Sequence, residues 1–354
     1  MSKIPVGVLG ATGTVGQRFI QLLESHPLLQ VKAVGASERS AGKLYGECTN
    51  WKLDTALPEN VASMVVQRCD PQWFQDCRVI FSGLDASVAG EVELEFLKHE
   101  FAVFSNAKNH RMDPFVPLVV PLVNTDHLEI IQHQRQKHSL TKGFLVTNAN
   151  CSTTGLVVVL KALQDAFGPL STVVVTTMQA ISGAGYPGIP SLDILGNVVP
   201  FIPGEEEKIQ EEAAKILGRV HTEGIEAVTG MKVSASCNRV PVLDGHTTSL
   251  FVQFKNKAPT PLQVAEALTS YRCEAQRLQT HSAPLQAIVV TPLQDRPQPR
   301  LDALIEGGNA VIVGRIRECS VFDIKLSLLS HNTILGAAGS SIMNAEVAYS
   351  KGLL

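Results

Sequence analysis

The stretch that most constrains the fold follows the first apolar segment of the chain. Residues 4–9 are mostly apolar and predict a short buried strand. The sequence GATGTVG occupies residues 10–16, and residues 17–23 place apolar side chains at helical spacing. A strand, a glycine turn and a helix in this order are typical of a dinucleotide-binding βαβ unit, with the pyrophosphate at the helix N-terminus. The spacing GxxGxxG is one residue wider than the commonest motif, so a tight turn without a ligand is the alternative.

Further apolar segments predict a doubly wound α/β domain. They indicate strands at residues 31–34, 79–84 and 101–104, with a helix at 91–99. The strand at 79–84 contains Ser82 and Gly83, and the strand at 101–104 is followed by the donor-rich sequence SNAKNHR. Ligands collect at such strand ends in parallel sheets, so both are candidate binding positions.

The segment after the second strand indicates which nucleotide would bind. An NAD site usually places an acid there, where it bonds the ribose hydroxyls. This chain offers Ser37, Arg39 and Ser40, whose donors suit a 2′-phosphate. Glu38 argues against that reading unless it faces solvent, and Arg39 alone would fit an ordinary solvated loop. We therefore predict NADP rather than NAD.

Residues 144–163 carry the candidate nucleophile. An apolar strand leads into Asn-Ala-Asn, and Cys151 then begins an apolar helix. A thiol at a helix N-terminus should have a lowered pKa and be partly thiolate near neutral pH. Free N–H groups there would hold an oxyanion if the sulfur attacked a carbonyl. A buried structural cysteine is the alternative, and the commoner role.

The second half of the chain predicts a different architecture. Residues 172–178, 248–254, 288–291, 310–316 and 322–329 indicate strands, and helices are expected near 205–217 and 262–278. This pattern predicts an α+β domain on a mostly antiparallel sheet. We place the domains at residues 1–136 and 137–335, with a helix at 336–354 packing back on the first domain.

Charged residues in this half are candidates for substrate binding. The acids of residues 205–207 suit the start of a helix, where a solvated turn is the simplest explanation. Arg239 and His246 flank an apolar stretch with a glycine turn. Arginine binds carboxylates with two hydrogen bonds, and histidine is the usual acid–base near neutral pH. His246 fits a satisfied turn histidine equally well.

Composition excludes several classes of protein. The chain has 354 residues, a net charge of −3 and 5% aromatic residues, which argues against nucleic-acid binding. Its seven cysteines show no CxxC spacing, so we expect reduced thiols, no disulfides and no metal site. A strand pattern that begins within four residues leaves no room for a signal peptide, and no apolar run suggests a membrane span. A cytoplasmic location is expected.

Seven motifs spread along the chain make it similar to a known family. It resembles the aspartate-semialdehyde dehydrogenases of fungi and archaea, which implies a fold like that of glyceraldehyde-3-phosphate dehydrogenase. The motifs run in family order, and together they are far more specific than the glycine turn alone. They are GATGTVGQRF, SNAKNHRM, NANCSTTG, MQAISGAG, IPGEEEKIQEE, NRVPVLDGH and HNTILGAAGSS.

The resemblance implies an activity and roles for named residues. The activity is NADPH-dependent reductive dephosphorylation of L-4-aspartyl phosphate to the semialdehyde, in lysine, methionine and threonine biosynthesis. Cys151 resembles the nucleophile, His246 the acid–base, and Gln179 the residue that orients the acyl intermediate. Arg239 resembles the clamp on the substrate carboxylate. An acid of the 205–206 pair, by spacing Glu205, would hold the amino group.

The remaining implied roles concern phosphate and cofactor. Arg111 and Lys208 resemble ligands of the leaving phosphate, with Asn106 nearby. A homodimer or homotetramer formed through the second domain's sheet is also expected. The positions that resemble NADP contacts are Gly10, Thr12, Gly13, Thr14, Val15, Ser37, Arg39, Ser40, Ser82, Gly183 and Asn332.

Three other functions are alternatives. N-acetylglutamyl-phosphate reductase uses the same kind of nucleophile and acid–base. The acylated amine of its substrate, however, carries no charge for Glu205 to bind. A malonyl-CoA reductase would have similar motifs. A regulator that binds NADP without chemistry would not need the set of reactive residues.

Overall fold

The computed structural model describes residues 3–354 and contains two large β-sheets. The first half begins with a strand, a helix and a second strand, as the glycine turn predicted. Short 3₁₀ turns occur at Pro71–Trp73 and Thr125–Ile130. The elements are β1 (Ile4–Leu9), α1 (Thr14–Leu23), β2 (Leu29–Ala36), α2 (Tyr45–Cys48), α3 (Glu59–Ala62), β3 (Gln67–Arg68), β4 (Val79–Ser82), α4 (Ala86–Lys98), β5 (Ala102–Ser105), α5 (Ile131–His138), β6 (Phe144–Thr147) and α6 (Cys151–Phe167).

The first sheet is entirely parallel, in the order β3-β2-β1-β4-β5-β6. Every residue of β4, β5 and β6 is buried, as expected for parallel strands covered on both faces. The order reverses at β1, which lies between β2 and β4, and ligands bind at such a switch point. The predicted Rossmann-type domain is confirmed.

Strand β6 lies beyond residue 136, where we predicted the first domain to end. It pairs with β5 in full register. The polar helix α5 is therefore a connection between two strands of one sheet and not a boundary between domains.

The second half is also mixed helix and strand, as predicted. It contains 3₁₀ turns at Ile181–Ala184 and Ile305–Gly308 and a π-helical turn at Ile334–Ala338. The elements are β7 (Leu170–Gln179), α7 (Ser191–Ile194), α8 (Glu205–Ile216), β8 (Arg219–His221), β9 (Gly224–Glu226), β10 (Lys232–Arg239), β11 (His246–Phe254), α9 (Pro261–Ser270), α10 (Glu274–Arg277), β12 (Ile288–Val290), α11 (Pro299–Asp302), β13 (Val311–Glu318), β14 (Ile324–Ser330) and α12 (Gly339–Ser350).

The second sheet is mixed, in the order β10-β7-β11-β14-β13-β12. Its three central pairings are antiparallel, while β10 with β7 and β12 with β13 are parallel. Along β11, buried residues alternate with more exposed ones, so only one face is covered. The sheet is thus less antiparallel than predicted, because both outer strands arrive by long crossovers.

Two helices pack on different sheets. Helix α6 is buried along most of its length and packs on α8, α9 and the strands β11 and β14. Helix α12 contacts α1, β4 and β5, so the C-terminal segment lies against the first sheet. Within the described chain, every helix is too short or too polar to span a bilayer.

Candidate active site

The register of the second sheet brings three predicted residues to one edge. Gln179 ends β7 and pairs with Arg239, which ends the parallel strand β10. His246 begins β11, which runs antiparallel to β7 and therefore starts at the same edge. All three side chains are buried. The N-terminus of α6 delivers Cys151 to this edge, so the sequence-predicted group is brought together.

Cys151 and His246 form a contact pair. The half-buried thiol places its Sγ 3.1 Å from His246 Nε2. The other ring nitrogen, Nδ1, accepts a hydrogen bond of 3.0 Å from the N–H of Ala180. Because Nδ1 is an acceptor, we assign the proton of the neutral ring to Nε2, which faces the sulfur.

The expected low pKa of Cys151 is wrong for this structure. Burial, helped by the Glu205 carboxylate and opposed by Arg239, Arg111 and Lys208, raises the pKa of its thiol to about 12. Burial, helped by the charge of Arg239, lowers the pKa of His246 to about 3. Desolvation outweighs the helix N-terminus here. In the free protein the pair is therefore a thiol beside a neutral imidazole.

The start of α6 is capped more fully than predicted. Asn150 Oδ1 accepts hydrogen bonds from the N–H groups of Ser152 and Thr153, at 2.9 and 3.3 Å. The Thr154 N–H bonds the Asn150 carbonyl. Of the first four N–H groups of the helix, only that of Cys151 is outside these bonds. The oxyanion site predicted from several free N–H groups is thus reduced to one backbone donor.

Glu205 is the centre of a buried polar cluster. It accepts hydrogen bonds from Lys208 Nζ at 2.7 Å, Asn150 Nδ2 at 2.8 Å and Gln179 Nε2 at 3.1 Å. Burial opposes ionisation, but these donors outweigh it and keep the pKa of Glu205 below its ordinary value. Glu206 instead accepts the backbone N–H of Cys237. The structure therefore favours Glu205 over Glu206 as the acid that faces substrate.

Two buried arginines have unused donors. Arg239 donates from Nη1 to the Ala180 carbonyl at 2.8 Å, but its buried Nε has no acceptor within residues 3–354. Arg111 donates from Nη1 to Glu212 and from Nη2 to the Asn106 carbonyl, and its Nε is likewise unpaired in that range. Buried donors are nearly always satisfied. Two orphaned guanidinium nitrogens on arginines whose charges both act on Cys151 indicate binding of anionic groups.

Two glycines allow close packing around the reacting pair. A Cβ added to Gly183 would lie 3.0 Å from Arg239 Nη1 and 3.2 Å from His246 Cε1. Gly336, in the π-helical turn, faces the other side, where a Cβ would lie 2.9 Å from Cys151 Cβ. Gly183 thus borders the substrate residues, and its predicted role in binding the cofactor stays a prediction.

The glycine turn after β1 fits a dinucleotide. Gly10 has φ +68°, and a Cβ there would meet the Gly83 carbonyl oxygen at 2.6 Å. Gly13 begins α1 without a side-chain cap, so the helix N-terminus is open to a phosphate. Thr12, Thr14 and Val15 are half-buried along this turn.

The other predicted cofactor residues differ in what they can offer. Ser37 and Arg39 are exposed and Ser40 is half-buried at the end of β2, as a 2′-phosphate site requires. Ser82 is buried, and its hydroxyl donates to Glu93 at 2.6 Å. Asn332 is also buried, with its side chain bonded to Ser182 and to the Gly245 N–H. Their side chains are used within the protein.

Asn106 lies between the ends of the first sheet's strands. Its amide donates to the Ser82 carbonyl at 3.1 Å, and its Oδ1 accepts from Asn148 at 3.0 Å. It therefore holds the loop that carries Arg111. Sequence reasoning missed Asn150 and Glu212 in this network. Their signal was local: an Asn directly before the nucleophile, and an acid seven residues after Glu205 on one helix face.

Comparison with known proteins agrees with this geometry. A family model described as the NAD binding domain of semialdehyde dehydrogenase matches residues 5–131, and one described as the dimerisation domain matches residues 160–335. Aspartate-semialdehyde dehydrogenase of Schizosaccharomyces pombe is 58% identical over 355 residues, covering 99% of each chain. The protein of that name from Cryptococcus neoformans is 56% identical, covering 99% of this chain and 98% of the relative.

A solved structure is also similar over the whole length. The crystal structure of aspartate semialdehyde dehydrogenase with NADP from Candida albicans has a TM-score of 0.93 and 48% identity, and covers 100% of both chains. Fold and sequence agree over both domains, which confirms the resemblance predicted from the motifs. The chain belongs to the aspartate-semialdehyde dehydrogenase family.

Proposed function

We propose that this protein catalyses the NADPH-dependent conversion of L-4-aspartyl phosphate to L-aspartate 4-semialdehyde, in lysine, methionine and threonine biosynthesis. The observation that carries the proposal is the Cys151–His246 pair at 3.1 Å, enclosed by an acid and two arginines with unused donors. A substrate with an ammonium, a carboxylate and an acyl phosphate matches this arrangement of charges. Family membership supports the same activity.

The substrate would be held by opposite charges at both ends. Arg239 binds the α-carboxylate, for which its orphaned Nε is available. Glu205 takes the α-ammonium group, and Gln179 orients the acyl group beside it. The leaving phosphate lies toward Arg111 and Lys208, which are the other cations near the sulfur.

The thiol performs the covalent step. Cys151 Sγ attacks the acyl carbon, a C–S bond forms, the C–O bond to phosphate breaks, and the thiol proton leaves with the phosphate. The Cys151 N–H stabilises the oxyanion in this step. After reduction of the thioester, the C–S bond breaks and the leaving sulfur takes the proton of His246 Nε2, which lies 3.1 Å away. The ring then regains a proton from solvent.

The cofactor residues fit NADP. When bound, NADPH supplies the hydride for the thioester. Residues Gly10 to Val15 would hold its pyrophosphate at the N-terminus of α1, and Ser37, Arg39 and Ser40 its 2′-phosphate. The open helix start and the exposed donors support this placement.

Replacement of the nucleophile tests the proposal. Cys151→Ala should abolish phosphate-dependent reduction of NADP by aspartate semialdehyde, while Cys319→Ala, at another free cysteine, should retain it. Unchanged turnover in Cys151→Ala would refute the covalent mechanism. A further contrary result would be that the wild-type protein oxidises NADPH with malonyl-CoA or N-acetylglutamyl phosphate and not with aspartyl phosphate. That result would assign it a different reaction.

We also propose a homodimer or homotetramer in the cytoplasm. The match to a dimerisation-domain model supports self-association through the second sheet, one face of which is less covered. The seven free cysteines suit a reducing compartment. Light scattering during size-exclusion chromatography would distinguish the two assemblies, and a monomer would contradict both.

A further inference from the structure

Helix α8 carries four charged residues on one face. Glu205, Lys208, Glu212 and Lys215 follow at intervals of three or four residues, which aligns them along the helix. The first two belong to the proposed substrate site. Glu212 and Lys215 are buried, with 2% and 3% of their surface exposed, and have no role in the mechanism described above.

Glu212 joins two segments that carry reacting groups. Its Oε1 accepts Arg111 Nη1 at 2.8 Å, and its Oε2 accepts the backbone N–H of Asn150 at 2.6 Å. Arg111 lies on the loop after β5, and Asn150 immediately precedes the nucleophile. Both carboxylate oxygens therefore accept a hydrogen bond. One bonds Arg111, which we propose binds phosphate, and the other bonds the turn that precedes Cys151.

Lys215 fixes the main chain of the same loop. Its ammonium donates to the carbonyl oxygens of Arg111, Asp113 and Val116 at 2.6, 2.7 and 2.8 Å. A lysine has three donors, and all three are used. The backbone at Arg111 is therefore held by Lys215, and the direction of its guanidinium by Glu212. Neither residue has a hydrogen bond to Cys151 or His246.

We propose that Glu212 is a positioning residue. It holds the Arg111 guanidinium at a fixed place relative to the Cys151 turn, so that phosphate binds next to the acyl carbon carried by the sulfur. The inference rests on the proposed function. An arginine held in advance loses little rotational freedom when it binds the anion, and small misplacements of a binding group are costly in rate. Its buried Nε stays unpaired and available.

Steady-state kinetics in the phosphorylating direction test this role. In Glu212→Gln the amide has one acceptor for two donors, so either Arg111 or the Asn150 N–H loses its partner. The KM for inorganic phosphate should rise ~10-fold, as expected for one lost charge-assisted hydrogen bond. The KM values for semialdehyde and NADP should stay within about twofold, because Arg239 and the glycine turn are untouched. Glu211→Gln, at the exposed neighbour, should match wild type.

A second variant guards against loss of folding. Glu212→Asp keeps the negative charge beside Arg111 and Lys215 but is one methylene too short to reach both donors. It should also raise the KM for phosphate selectively. An unchanged phosphate KM in the folded variants, or an equal rise in all three KM values, would overturn the proposal.

A double substitution tests whether Glu212 acts through Arg111. When Glu212→Gln is added to Arg111→Ala, the phosphate KM should change less than about twofold, because the group being positioned is gone. A full additional increase would refute the role. Wild-type protein without phosphate-dependent NADP reduction would refute the proposed function itself, which is a separate result.

Discussion

The cofactor cleft and the substrate cluster are built in different ways. The cleft consists of one glycine turn and one strand end, with exposed donors at Ser37 and Arg39. In the cluster, Glu205 alone accepts hydrogen bonds from Lys208 on its own helix and from Asn150 and Gln179 on two other segments. A change in the cleft should therefore affect NADP alone, whereas a change in the cluster should alter several groups together.

The largest expected effect lies in the cluster. Arg239→Ala removes the proposed carboxylate clamp and should lower kcat/KM for aspartate semialdehyde about 10²–10³-fold, the range for truncating one partner of a buried charged pair. The KM for NADP should not change. Initial-rate kinetics measure both, with Arg219→Ala, at an exposed arginine, as the matched control. Near-wild-type kcat/KM would locate the carboxylate site elsewhere.

A smaller and more selective effect is expected in the cleft. Arg39→Ala should raise the KM for NADP ~10-fold and leave that for NAD nearly constant, because only NADP carries the 2′-phosphate. Glu38→Gln, which changes the adjacent exposed charge, should not weaken NADP binding. Equal losses for both nucleotides would show that Arg39 does not discriminate between them.

A third prediction tests whether Glu205 also changes the reactivity of Cys151. Glu205→Gln removes a charge that raises the pKa of the Cys151 thiol, so that pKa should fall and more thiolate should be present at pH 8. Alkylation of Cys151 by iodoacetamide should become roughly threefold faster, because Glu205 is one of four charges that act on the sulfur, with Arg239, Arg111 and Lys208. Mass spectrometry of the Cys151 peptide measures the rate. A slower reaction would mean that Glu205 activates the thiol.

The last prediction concerns stability at low pH and not turnover. His246 has a pKa of about 3 in the folded protein and near its ordinary value when unfolded, so the unfolded state binds the extra proton between these values. Stability should therefore fall as pH drops from 6.5 toward 3. The urea midpoint should decrease more between pH 7 and pH 5 in wild type than in His246→Gln. Equal decreases would show that this ring does not contribute.

Elements that depend on neighbouring residues were predicted better than elements that depend on distant pairing. The β1–α1 turn and the start of α6 at Cys151 follow from neighbouring residues, and both were predicted. Strand β10 was not predicted, because its parallel pairing with β7 depends on register set far along the chain. The pKa of Cys151 was wrong for a related reason. The helix N-terminus is visible in sequence, but burial and Glu205 come from distant segments.

The position of Gly336 has a consequence for how this protein is made. This glycine packs against Cys151, yet it lies 185 positions later in the chain. During synthesis the thiol leaves the ribosome long before the turn that closes its pocket. In a partly made chain, the Cys151 sulfur therefore lacks the turn that packs against it. The complete site can form only once nearly the whole protein has been translated.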